Sequence, residues 1–218
     1  MSQIFHPRAN SIARVVLVAI PLSLVFLLVV GYQFSASPYT TGLDRIVEQP
    51  VPFSHKHHVG ALGLDCRYCH EDVEQAAFAG MPPTSTCMTC HSQLWTNADV
   101  LEPVRASLVN GKPLHWNRVY SLPDYVYFDH SVHVRNGVGC SSCHGDMSEQ
   151  PLTLQAQPLT MGWCLECHRD PGPHLRPADQ IYDPRVPDPH NGARKSAELL
   201  HQYLVESRNL TDCSTCHR

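Results

Sequence analysis

Cys66-Arg-Tyr-Cys69-His70, Cys87-Met-Thr-Cys90-His91, Cys140-Ser-Ser-Cys143-His144, Cys164-Leu-Glu-Cys167-His168 and Cys213-Ser-Thr-Cys216-His217 are five copies of Cys-x-x-Cys-His. They use all ten cysteines of the chain. Two thiols three residues apart can add across the two vinyl groups of one haem, and the histidine that follows sets an imidazole beneath the iron. Zinc sites and thioredoxin-like pairs also use Cys-x-x-Cys, but neither explains a His after every second cysteine. A disulfide framework would account for ten cysteines and leave the five histidines unexplained. The pattern therefore predicts five covalently attached haem c groups. The ten cysteines are their thioether anchors, and His70, His91, His144, His168 and His217 are the proximal iron ligands.

Composition agrees with a core that is not made of side chains. The 218 residues include 18 Pro and 15 His, only 17% are charged, and the formal net charge is −4 before the haem propionates are added. Beyond residue 38 about 36 residues are available per haem, too few to bury a porphyrin behind a conventional core. The haems themselves must form the core, wrapped by loops and short helices. The expected fold class is a multihaem cytochrome c with regular secondary structure well below the usual proportions. No basic stripe points to nucleic acid.

The N-terminus supplies an anchor. Residues 1–14 carry Arg8 and Arg14 and no acid, and Val15 to Phe34 is apolar except for Pro21, Ser23, Gly31 and Gln33. Twenty helical residues reach about 30 Å, enough for a bilayer's hydrocarbon. Ser35-Ala36-Ser37 has residues small enough for signal cleavage. The apolar run is nevertheless longer than the roughly 7–15 residues of a signal peptide, and Pro38 fits a protease poorly. A retained single transmembrane helix is expected, with the N-terminus in the cytoplasm and the haem-bearing part outside, at the inner (cytoplasmic) membrane. The expected divisions are residues 1–14 (cytoplasmic), 15–34 (anchor), 35–50 (linker), 51–97 (first dihaem module), 98–124 (connector), 125–174 (second dihaem module) and 175–218 (fifth haem).

The two modules follow from a repeat. Phe53-Ser-His55-Lys-His57-His58 and Phe128-Asp-His130-Ser-Val-His133 are offset by 75 residues. The attachment sites that follow are offset by 74 (Cys66 to Cys140) and 77 (Cys87 to Cys164), and such a fixed period marks a duplicated unit. The recurring His-x-x-His puts two imidazoles one turn apart, so each can reach a different iron. His55, His58, His130 and His133 are the candidate distal ligands, the first of each pair serving the haem that follows it. Four distal histidines leave the fifth iron short. Met81 and Met161, which recur ahead of the second site of each module, are the candidates, with Met147 and Met88 behind them. The alternative for these methionines is apolar contact with porphyrin faces. His57, His115, His174, His190 and His201 read as supporting or surface residues, and His6 lies beyond reach in the cytoplasm. The connector should be mostly loop with a short helix near Val100–Val109. Asp170 to Pro189 should be an extended proline-rich crossing, followed by a helix over Ala193–Glu206.

Phe53-Ser-His55…His58…Cys66-x-x-Cys-His resembles the class III, cytochrome c3/c7-like haem module. Val126-Tyr-Phe-Asp-His130-x-x-His133, Gly137-Val-x-Cys140, His144-Gly-Asp and Leu159-Thr-Met161-Gly-Trp163-Cys164-Leu, with one anchor and a terminal fifth site, resemble the pentahaem cytochrome subunit of alternative complex III. That resemblance covers nearly all of residues 50–218. It implies a quinol:electron-acceptor oxidoreductase whose partners are an iron–sulfur subunit, multi-helix quinone-binding subunits and a monohaem cytochrome c. Electrons would pass on to a soluble carrier or a terminal oxidase. No cysteine is free to ligate an iron–sulfur cluster in this chain itself. A stand-alone membrane quinol dehydrogenase is the alternative; its relatives place a first haem close after the membrane helix, whereas here residues 35–65 intervene. A reductase with an open haem fits least, because distal ligands nearly suffice for every iron. No acid–base or nucleophile constellation stands out, so an electron-transfer subunit without a bond-making site of its own is expected.

Overall fold

A computed structural model describes residues 5–6, 8–185, 193–205 and 209–217. The chain divides into two compact units, residues 1–42 and 43–218. The first unit is built on α1, Ala9–Ser35, with a four-residue helix α2, Pro38–Thr41. At 27 residues α1 measures about 40 Å, long and apolar enough to cross a membrane, and it starts six residues ahead of the predicted span. Two of its exposed hydroxyls bond within the helix: Ser23 Oγ donates to the Ile20 carbonyl at 2.8 Å and Ser35 Oγ to Tyr32 at 2.7 Å. An apolar medium demands this, since it offers no water to either hydroxyl.

The second unit consists of short helices without strands among the described residues. These are α3 (Thr84–His91), α4 (Glu102–Asn110), α5 (His130–Arg135), α6 (Ser141–His144), α7 (Met161–Arg169), α8 (Ala193–Gln202) and α9 (Cys213–Cys216). A π-helical turn, Lys56–Ala61, and several 3₁₀ turns join them, and β-structure is limited to isolated bridges such as Ile46–Leu154 and Val126–His217. Short helices need caps because so few of their N–H groups bond internally. The Asp129 carboxylate caps α5 through the Ser131 and Val132 N–H groups, and Thr160 Oγ1 caps α7 through Trp163 N–H. Protein core is sparse and divided. Among the described residues the buried apolar side chains form three small clusters, around Val51–Leu101–Val104, Val73–Val134–Ile181 and Leu175–Leu199–Val205. None of the large side chains described is wholly enclosed. This is the expected multihaem cytochrome c architecture of short wrapping helices with little side-chain core.

Two expectations need correction. The 170–185 stretch is not extended: it folds into 3₁₀ turns at Gly172–His174 and Ala178–Gln180 and bridges back from Leu175 to Val138. The reason is Arg176, only 5% exposed, whose guanidinium donates to the carbonyls of Asp183 (3.1 Å) and Arg185 (2.7 Å) and to Ser141 Oγ. Those bonds draw the segment into a loop around one cation. The helix expected over Ala193–Glu206 closes at Gln202. Residues 186–192, among them His190, and Glu206 lie outside the described residues.

The 53–58 and 128–133 stretches dock reciprocally. Lys56 N–H donates to the Gln150 carbonyl at 2.9 Å, and the corresponding Ser131 N–H donates to Ala76 at 3.2 Å. Each His-x-x-His turn is therefore seated on the chain that follows the other copy's first attachment motif. The relation is an approximate two-fold that a sequence offset alone does not reveal.

Candidate haem-binding sites

All five motifs sit on single turns of helix. The first is a 3₁₀ turn, Cys66–Tyr68, capped by Asp65, whose carboxylate accepts from Arg67 N–H at 2.8 Å. The others lie on α3, α6, α7 and α9. In the first, third and fifth the histidine N–H returns to the carbonyl of the first cysteine, at 2.9, 3.0 and 2.9 Å for His70, His144 and His217. That bond puts both thiols on one side of the turn with the imidazole beside them. Burial pushes Cys143 up to about 12 and Cys167 up to about 11. Among the described residues no three His, Cys, Asp or Glu side chains converge as a metal-ligating cluster.

Backbone carbonyls orient the imidazoles. His70 Nδ1 lies 2.8 Å from Gly80 O, His91 Nδ1 3.2 Å from Leu94 O, His168 Nδ1 2.8 Å from Leu210 O and His217 Nδ1 3.1 Å from Tyr125 O. His58, His130 and His133 do the same with Ser54 O (2.8 Å), Ala77 O (2.7 Å) and Asp129 O (2.7 Å). A carbonyl only accepts, so in each case Nδ1 carries the proton and Nε2 keeps its lone pair for a metal. His55 Nδ1 instead meets Thr153 Oγ1 at 3.1 Å. His55 is thus held by the second copy, and His130 by the first.

Opposed pairs follow. Ring centroids stand 6.2 Å apart for His58–His91, 6.4 Å for His130–His144 and 6.2 Å for His133–His168. Two imidazoles bonded from opposite sides to one metal at about 2.0 Å each have centroids roughly 6.3 Å apart. Rotation about the common axis is unrestricted, so interplanar angles of 64°, 13° and 35° are all compatible with that arrangement. His55 interacts electrostatically with His70, its expected counterpart. Burial pushes His55 and His144 down to about 4 and lowers His58 and His133. All four are held neutral, the form that ligates. The residues present fit iron porphyrin.

One aromatic ring serves each His-x-x-His, a role the sequence reading did not assign. Phe53 stacks on His58 (4.3 Å, 22°) and meets His55 edge-on (4.9 Å, 84°). Phe128 repeats this with His133 (4.5 Å, 28°) and His130 (4.8 Å, 87°). The signal was available, since both phenylalanines carry the 75-residue offset. Of the other candidates, Met81 and Met161 are exposed, at 56% and 65%. Met88 packs against the Val51–Leu101–Val104 cluster and Met147 opens a 3₁₀ turn. His57, His115 and His201 are exposed, and His174 is half-buried, its carbonyl accepting from Gly139 N–H at 3.2 Å.

Single-turn thiol pairs, each followed by an imidazole, on short helices with almost no side-chain core define a multihaem c-type cytochrome. The chain belongs to the family described as cytochrome c7 and related cytochrome c, which it matches over residues 51–102 and 126–218. It is also 30% identical over 191 residues to the "Menaquinone reductase, multiheme cytochrome c subunit" of Nitratidesulfovibrio vulgaris (strain Hildenborough), an alignment covering 87% of this chain and 77% of that one. Covalently bound haem c follows from membership of that family.

Proposed function

We propose that this chain is the membrane-anchored pentahaem relay of a quinol-oxidising respiratory complex of the alternative complex III type. Two dihaem modules, 51–97 and 125–174, would be joined by the 98–124 connector, with the fifth site in 175–218. Haem c, when bound, supplies reversible one-electron iron chemistry. The chain's own residues would hold and close four of the irons: His55 with His70, His58 with His91, His130 with His144 and His133 with His168. The observation that carries this reading is the 6.2–6.4 Å spacing of three of those pairs, with Nδ1 of five of the six rings already committed to a backbone carbonyl. At the fifth iron His217 is proximal. Met161 is the better placed of the two methionines, because α7 also carries His168, whose Nδ1 reaches Leu210 O just ahead of the fifth motif. Closed irons bind no substrate, which is the property of a relay.

Charge supports an N-terminus in the cytoplasm and haems outside, with Arg8 and Arg14 before the anchor and no acid until Asp44. The partners would be an iron–sulfur subunit, multi-helix quinone-binding subunits and a monohaem cytochrome c, with electrons passing to a cytochrome c or a terminal oxidase. A second reading runs the current the other way, toward the quinone, and the name of the 30% identical relative favours it. Purification from membranes in mild detergent tests the proposal. Co-purifying iron–sulfur and multi-helix subunits, with quinol-driven reduction of all five haems, are expected. A chain that oxidises quinol alone contradicts it, and quinone reduction as the only activity of the complex favours the reverse current.

A further inference from the structure

The attachment sites touch one another in series. Tyr68, inside the first motif, shares a 2.9 Å hydrogen bond with Thr89, inside the second. Cys69 of the first site also interacts electrostatically with Cys87 of the second. Cys66 of the first site and Cys140 of the third sit on the same backbone, Cys66 Sγ 3.6 Å from the Tyr182 carbonyl and Cys140 N–H donating to Ile181 at 3.1 Å, and His144 interacts electrostatically with both His70 and His55. The Phe128 ring touches both His130, paired with His144 of the third site, and His133, paired with His168 of the fourth, and Cys143 interacts electrostatically with Cys164 and Cys167. His168 Nδ1 of the fourth site reaches Leu210 O, three residues ahead of the fifth motif, at 2.8 Å, and Cys164 interacts electrostatically with Cys216.

A thioether would fix one edge of its porphyrin, so attachment turns that adjoin would bring two porphyrin edges together. We infer that the five sites form one unbranched series in the order second, first, third, fourth, fifth, with Cys87–His91 and Cys213–His217 as its two ends. The inference rests on the five-haem reading proposed above. It departs from chain order for a structural reason. The two copies meet first site to first site, through the 181–182 backbone that Cys66 and Cys140 both bond and through the reciprocal Lys56–Gln150 and Ser131–Ala76 bonds. The fifth site then extends one side only. It is held there by the Val126–His217 bridge and by Tyr127 N–H on the Cys216 carbonyl at 2.9 Å.

One-electron partners therefore exchange with this chain at its two ends, one at the 87–91 turn and the other at the 213–217 turn. The test uses the chain in its native complex. Covalent haem is first counted by pyridine haemochrome, and the irons are then located by electron cryo-microscopy, each assigned by its own thioether pair. The expected nearest-neighbour series is second, first, third, fourth, fifth. Five haems with the second nearest to the third or fourth, or the fifth nearest to any but the fourth, overturn the order and leave the relay reading standing. Fewer than five covalent haems overturn the five-haem reading and the order with it.

Discussion

Replacing Phe128 with alanine removes one ring that touches both histidines of α5. The ring lies nearly flat on His133 at 4.5 Å and edge-on to His130 at 4.8 Å. Each such contact contributes about 0.5–1.5 kcal/mol beyond area burial, so the pair amounts to about 1–3 kcal/mol. What remains to orient each imidazole is one Nδ1–H bond, to Asp129 O or to Ala77 O, worth about 1 kcal/mol. Each imidazole loses only its own contact of about 0.5–1.5 kcal/mol, which raises the fraction of time it is off its iron by about 2- to 13-fold. Carbon monoxide binds ferrous haem only when that position is vacant, so its uptake by the reduced protein reads the fraction directly. Stopped-flow mixing should show two of the five haems taking up carbon monoxide faster by that factor. Phe128→Leu, which keeps apolar volume without a π-face, should fall between the two. Phe53→Ala should do the same to the other module, since its ring stands 4.3 and 4.9 Å from His58 and His55. Uptake by Phe128→Ala no faster than wild type, in a protein with unchanged circular dichroism, would refute the orienting role of the ring.

His58→Ala and His133→Ala should each yield one high-spin haem per chain by electron paramagnetic resonance, whereas His57→Ala and His201→Ala should yield none. Gly60→Ala would drive a methyl group into the Ser148 backbone carbonyl, where the 56–61 turn packs on the 147–149 turn. A cost of about 1–3 kcal/mol is expected in denaturant titration, with little change at Gly31→Ala, where nothing lies within 4 Å. Arg176→Met leaves three carbonyls and the Ser141 hydroxyl without their donor, at about 1–3 kcal/mol per unsatisfied group. It also removes a buried cation that interacts with Cys140, so spectroelectrochemistry should show one haem potential falling while four hold. Stability should decline on acidification. His55 and His144 sit near 4 when folded against about 6.5 when unfolded, so the unfolded chain binds more protons between those values. Denaturation midpoints should be flat above pH 7 and fall from about pH 6.5 toward 4.

Much of this was legible as letters. The proposed proximal ligands come from the five motifs, and the proposed distal ligands His55, His58, His130 and His133 come from one period. The carbonyls of Gly80, Ala77, Leu210 and Tyr125 that fix Nδ1 were not legible, because a backbone oxygen leaves no mark on residue type. Reciprocal docking was hidden for a related reason: it joins Lys56 to Gln150 and Ser131 to Ala76, pairs that share no chemistry. The 170–185 segment misled because proline count suggested extension, while one buried arginine governs the path of the chain. The fifth site remained apart for want of a second His-x-x-His, and its place beside the fourth came only from the fold.

Near-infrared magnetic circular dichroism of the fully oxidised protein tests the central assignment most directly, since it counts irons by the chemistry of both axial ligands. Four bis-imidazole haems and one imidazole–thioether haem per chain are expected, the latter lost in Met161→Ala. Any high-spin iron, or fewer than four bis-imidazole signals, would contradict the pairing of His55, His58, His130 and His133 with His70, His91, His144 and His168.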